Sequence, residues 1–356
     1  MSAYSPDPRI HFAGIQTAQL VKLVCAMPKA ELHLHIEGSL EPELMFELAK
    51  KNHIPLPYPS VEALRAAYAF DDLQSFLDIY YAGASVLITE DDFFQMAWAY
   101  LQRAAADNIV RAEIFFDPQT HTERGVAIGT VIQGLSRAVT KARTELSVDG
   151  ALILCFLRHL SEASALETLT AALPFQGHFI GVGLDSSERG HPPEKFKQVF
   201  AKAKALELNL VAHAGEEGPP EYIWNALEQL NVSRIDHGVR CSEDPRLVAH
   251  LAERRTPLTV CPLSNLKLKV FETLGDHNLA QLLAQKLCIT LNSDDPAYFG
   301  GYLNQNFVET FTALPLTARD AWQLAANSFE ASFVTPSQKA VWVKRLDQFF
   351  LEFSPG

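Results

Sequence analysis

Eight short, almost uninterrupted apolar runs partition this chain, at residues 30–35, 110–116, 151–157, 179–184, 209–213, 234–237, 257–260 and 287–292, with helical patterns between them. Runs of this length without polar alternation suit strands covered on both faces, and parallel strands require a crossover between them, usually a helix. From the second run onward the spacing is that of βα units, which predicts an α/β fold of the (β/α)8 TIM-barrel type. The gap between the first two runs is much longer. Its helical patterns at 41–52, 61–68, 73–86 and 90–107 predict an insert after strand 1, and those at 316–327 and 336–353 predict extra C-terminal helices. An open doubly wound sheet competes with the barrel. It should carry a phosphate loop after its first strand, and neither G-x-G-x-x-G nor G-x-x-x-x-G-K-[ST] occurs. No Pro-, Gly- or Ser-rich linker divides the chain, so residues 27–356 read as a single domain behind an N-terminal extension of residues 1–26.

Composition narrows the function. Hydrophobic residues make up 48% and charged residues 20% of the 356, the balance of an ordinary soluble chain. A net charge of −12 repels phosphate backbones and anionic membranes, so neither nucleic acid nor membrane is expected as a partner. Cys25, Cys155, Cys241, Cys261 and Cys288 are odd in number and scattered, with no C-x-x-C pair. That usage, with no secretory h-region and no span-length apolar run, predicts a cytoplasmic location.

Barrel enzymes place their chemistry at the C-terminal ends of the strands. Here the first strand ends His33-Leu34-His35, the fifth His213-Ala214-Gly215-Glu216, the sixth Asp236-His237-Gly238, and the eighth runs into Ser293-Asp294-Asp295-Pro296. Residues i and i+2 of a strand share a face, so His33 and His35 point together into the barrel. His33, His35, His213 and Asp294 supply the nitrogen and oxygen donors of a catalytic zinc with an open position. Ser264-Asn265-Leu266-Lys267 matches S-x-x-K without its companion motifs and reads as a loop. Arg158 and His159, after the third strand, read as holding loops by ion pairing. His277 reads as a surface or packing residue.

The run from Ala30 to Gly38 (AELHLHIEG), His213-Ala214-Gly215-Glu216, Asp236-His237-Gly238 and Asn292-Ser293-Asp294-Asp295-Pro296 resemble, in motif and order, the adenosine and adenine deaminase family over residues 27–353. The resemblance implies a zinc-dependent (β/α)8 barrel with one Zn2+ per chain, held by His33, His35, His213 and Asp294. It makes Glu216 the proton donor and His237 the group that orients and stabilises the attacking hydroxide. Asp295 would bond purine N7, and the Ser186 N–H purine N3, where adenosine deaminases have Gly. Glu37 stands where those enzymes have an Asp that contacts ribose, and its extra methylene would push the carboxylate into sugar space. Residues 113–126, 183–188 and 294–302 resemble the adenine deaminase branch.

The implied activity is conversion of adenine and water to hypoxanthine and ammonia in purine salvage, with a small purine base as the partner. Adenosine or an N6-substituted adenine is the alternative substrate, and a non-catalytic purine-binding protein the alternative class. The apolar stripe Leu73, Phe76, Leu77, Tyr80 in the insert reads as packing on the barrel rim, as a lid over the base, or as both.

Overall fold

The computed structural model describes residues 4–70 and 73–353. Among them, eight strands, β1 (Lys29–Glu31), β2 (Ile109–Phe116), β3 (Asp149–Leu157), β4 (Gly181–Asp185), β5 (Asn209–Ala214), β6 (Arg234–His237), β7 (Pro257–Val260) and β8 (Cys288–Leu291), pair in parallel in sequence order. The ring closes without a regular β8–β1 ladder. His35 N–H donates to the Asp294 carbonyl (2.9 Å) and Asp294 N–H to the His33 carbonyl (3.1 Å). The chain forms a (β/α)8 barrel whose last seam is stitched by residues of its own candidate site.

The first strand is shorter than its apolar run predicts. The Leu32 N–H is taken by the side-chain oxygen of Asn292 (2.9 Å), so regular pairing stops at Glu31. Residues 34 and 35 make isolated bridges to Asp294 and Phe115 instead. His33 and His35 therefore lie just beyond the regular strand, on a segment held from both sides. From outside, the Ala318–Ala331 helix seals the same seam. Ser328 Oγ accepts the Ala30 N–H (3.0 Å) and Asn327 donates to the Ile289 carbonyl (2.8 Å).

The insert supplies the Pro42–Asn52, Val61–Ala66, Leu73–Ala84 and Glu90–Ala106 helices. The last begins in a capping box, in which Thr89 and Asp92 satisfy each other's backbone N–H, which stops the long helix fraying where it meets the barrel. Inside the barrel, Phe115, Ile153, Cys155 and Val211 form a small apolar plug apart from the main core. That plug floors the polar site above it. Leu20, Leu23 and Val24 of the N-terminal Leu20–Ala26 helix are buried in the main core. No helix among the described residues is long and apolar enough to cross a membrane.

Candidate active site

Three imidazoles and a carboxylate converge above the plug. His33 Nε2 lies 3.1 Å and His35 Nε2 3.5 Å from Asp294 Oδ1, and His35 Nε2 lies 3.1 Å from His213 Nε2. The remaining contacts orient the rings. Thr259 donates its hydroxyl hydrogen to Asp236 (2.8 Å), so its oxygen accepts from His33 Nδ1 (3.0 Å) and the His33 Nε2 lone pair is left facing Asp294. His35 Nδ1 faces Asp185 at 3.5 Å and His213 Nδ1 faces Asp236 at 3.7 Å, so a carboxylate stands behind each ring. His35 Nε2 and His213 Nε2 thus meet at 3.1 Å, and His33 Nε2 is buried without a hydrogen-bond partner. A cation among these buried donors would satisfy them together. The donor set fits a metal ion, and the carboxylates behind each ring are the usual means of orienting ligand imidazoles. Burial, then the neighbouring imidazoles, hold His213 well below the usual histidine range, in the neutral form that ligation needs.

His237 lies as close to His33, His213 and Asp294 as a ligand would. Its hydrogen bonding separates it from them. Leu279 N–H donates to His277 Nδ1 (3.1 Å), so His277 Nε2 donates to Asn265 Oδ1 (3.3 Å). The Asn265 amide hydrogens must then point the other way, to His237 Nδ1 (3.4 Å) and Glu216 Oε1 (3.5 Å). His237 therefore carries its proton on Nε2, directed at Glu216 Oε2 (3.5 Å) and Asp294 Oδ2 (3.7 Å). Burial, then His33, pushes its pKa down to about 3, which leaves the ring neutral.

Glu216 is buried, and desolvation followed by the Asp294 charge raises its carboxyl well above the usual range. That direction favours the protonated form, from which a carboxyl can give up a proton. Asp295 Oδ1 is buried without a partner, and burial, then Asp294, raises Asp295 in the same direction. Both line one pocket with His35, His213, His237 and Ser186. Ser186 sits at φ 70°, its hydroxyl bonded to His159 Nδ1 (2.8 Å) and near Tyr81 Oη (3.4 Å). Leu73, Phe76, Leu77 and Tyr80 line the pocket, and Phe76 also packs on Phe299 (ring centroids 4.6 Å apart).

Two sequence expectations change. Glu37 does not line the pocket. Its Oε1 accepts from His121 Nε2 (2.9 Å) and the Asp117 N–H (3.2 Å), and its Oε2 faces Tyr80 Oη at 3.5 Å. Ser264-Asn265-Leu266-Lys267 lies in a helix, Pro262–Lys267, rather than in a loop. The signal was Pro262, since proline readily starts a helix. His277 packs, as expected, but also orients Asn265. Arg158 does hold loops, chiefly by donating to the carbonyls of His191 (2.9 Å) and His213 (2.7 Å). The sequence reading does not reach Asp117, Asp185, Glu188 and Asn265 as site residues. A search for acids one residue past a strand, as in Phe116-Asp117, would have found the first.

A family model described as adenosine deaminase matches residues 28–349. An adenine deaminase of Trichlorobacter lovleyi is 64% identical over 96% of this chain and 98% of its own length. An adenine deaminase of Geotalea uraniireducens is 63% identical over 97% of each. Among solved structures, an adenine deaminase from Arthrobacter aurescens superposes with a TM-score of 0.90 at 49% identity, covering 91% of this chain and 99% of that one.

Proposed function

This chain belongs to the adenosine deaminase family, and from that premise we propose that it hydrolyses adenine to hypoxanthine and ammonia with the help of one zinc ion. The observation that carries the reading is the convergence of ring nitrogens of His33, His35 and His213 on Asp294, beside the buried Glu216 carboxyl at one pocket. Relatives 64% and 63% identical named adenine deaminase support the choice of substrate. His33, His35, His213 and Asp294 would hold the zinc, which when bound acts as a Lewis acid that brings the pKa of a water from about 15.7 to about 7.

The chain's own groups do the rest. His237 Nε2–H steadies the oxygen that attacks C6 and the negative charge it carries. Glu216 gives its proton to N1, so that the ring tolerates a tetrahedral C6, and then helps move a proton to the departing amino group. One water is consumed and one ammonia released. Asp295, kept protonated by its surroundings, donates to N7, and the Ser186 N–H meets N3. Leu73, Phe76 and Leu77 exclude bulk water and strengthen each polar contact beneath them.

We place the catalytic unit in residues 27–356 as one domain, acting in the cytoplasm on a small uncharged base in purine salvage. Initial rates of ammonia release from adenine, adenosine, AMP and N6-substituted adenines test the reading. Adenine should be the fastest; a higher rate on adenosine overturns the free-base assignment.

A further inference from the structure

One acceptor in the pocket has no counterpart in the mechanism above. Asp117 follows β2, is 3% exposed, and lines the same pocket as Glu216 and Asp295. Its N–H donates to Glu37 Oε1 (3.2 Å), and its Oδ2 accepts the hydroxyl hydrogen of Tyr80 (3.2 Å). Oδ1 is buried and accepts from no N–H or alcohol hydroxyl group, while a hydrogen bond joins the Asp117 and Asp185 carboxyls. A buried carboxylate oxygen without such a donor costs free energy unless a ligand brings one to it.

The surroundings hold Asp117 in that pose. Arg124 donates to His121 Nδ1 (2.9 Å), which fixes the His121 proton on Nε2 and directs it to Glu37 (2.9 Å). Glu37 is thereby drawn back from the pocket and holds the Asp117 main chain. The neighbouring acid, Asp185, is turned to His35 Nδ1 (3.5 Å) and orients that ring. Asp185 Oδ1 is buried without an N–H or hydroxyl donor too, but Asp117 is the acid of the two that Glu37 holds through its N–H and Tyr80 through its Oδ2.

On the reading that the substrate is adenine, on which this inference rests, N1 goes to Glu216, N7 to Asp295 and N3 to Ser186. The remaining ring position is N9, the one ring N–H of the free base and the atom that carries the sugar in a nucleoside. We propose that Asp117 Oδ1 accepts the N9–H and that Asp117 is the residue that selects the free base. An N9 substituent would remove the donor, leave Oδ1 buried without it, and meet the Asp117–Tyr80 pair. Sites built to bond a substrate N–H reject analogues lacking it by about 10⁴ to 10⁵.

The test compares adenine with 9-methyladenine, the same base without the N9–H, by ammonia release from the zinc-loaded wild type and Asp117→Ala. Wild type should prefer adenine by at least ~100-fold in kcat/KM, and Asp117→Ala should lose at least ~100-fold on adenine while the ratio between the substrates collapses to below ~10. Equal wild-type rates on the two bases overturn the assignment. So does a variant that falls by the same factor on both, which is the signature of a purely structural role. The wild-type comparison stands even if the variant does not fold. Absence of any wild-type turnover of adenine is a separate outcome: it removes the deaminase reading itself, and this inference with it.

Discussion

Glu188 holds Glu216 through the main chain. Its Oε1 accepts the Gly215 N–H (2.9 Å), and its Oε2 accepts the N–H groups of Glu216 (2.8 Å), Glu217 (2.8 Å) and Gly218 (2.9 Å). Four consecutive amides thus converge on one buried carboxylate. The sequence His213-Ala214-Gly215-Glu216-Glu217-Gly218 is shaped by that convergence. Gly215 turns at φ 76°, and a Cβ on Gly218 would lie 2.5 Å from Glu188 Oε1. The loop that carries the proposed proton donor is therefore fixed by an acid that need not touch substrate.

Replacing Glu188 should cost turnover more than binding. Glu188→Gln keeps the shape but turns an NH2 group toward an amide donor, and we expect kcat to fall at least ~10-fold with KM nearly unchanged. Glu188→Ala leaves four donors without their acceptor and should lower stability by about 2–4 kcal/mol, read from the urea midpoint. If Glu188 acts through Glu216, its replacement in a Glu216→Gln background should remove little further activity. Additive losses would show that it acts elsewhere.

Glu216→Gln separates proton donation from assembly. The amide can fill the space and still bond N1, but it has no proton to transfer. Turnover should fall by about 10² to 10⁴, while zinc content and hypoxanthine binding, followed by calorimetry, stay near wild type. Near-normal turnover would end the assignment of Glu216 as the acid.

Much of this site was legible because its chemistry sits in short motifs at strand ends. His33, His35, His213, Glu216, His237, Asp294 and Asp295 are all buried at the mouth of the barrel, as the spacing of the eight apolar runs predicts. What escaped depends on meetings between distant segments. The pose of Glu37 is decided by His121, whose ring proton is fixed in turn by Arg124. The early end of β1 follows from one side chain, Asn292, competing for a backbone amide. Asn265 lies in a helix where the unaccompanied S-x-x-K run predicts a loop, and its role emerges only when His277 sets its amide. Hydrophobic periodicity carries the fold, but the direction of a buried proton is a tertiary property.

Hydrogen bonding divides the histidines into ligands and donor, and metal analysis can check the division. Wild type should hold one zinc per chain. His213→Ala and His35→Ala should each lose it, since each deletes one of the converging ring nitrogens. His237→Gln should keep the metal and lose turnover, because His237 Nε2 carries a proton toward Glu216 and Asp294. Loss of zinc in His237→Gln, with zinc retained in His35→Ala, would exchange their roles. Two zinc ions per chain would instead direct attention to His35, Asp117 and Asp185, whose donor atoms lie within 4.8 Å of one another.

At the opposite end of the barrel, Lys29 gives a stability signature that the catalytic groups do not share. Its buried ammonium donates to the Val24 and Met27 carbonyls (3.1 Å each) and lies 5.7 Å from the centre of the Phe307 ring. Burial, only partly offset by Asp107, lowers its pKa to about 8. An unfolded chain keeps this proton up to about 10.4, so between the two values the unfolded state binds more protons and stability rises with pH. The contribution is fully present above the unfolded value and is lost as pH falls through about 8. Integrated over that window it is on the order of 2–3 kcal/mol. Lys29→Met has no such proton to release, so the wild-type advantage in Tm over the variant should grow from pH 8 to pH 10.5. Tm curves that stay parallel across that range would mean that the ammonium is not desolvated as the structure places it.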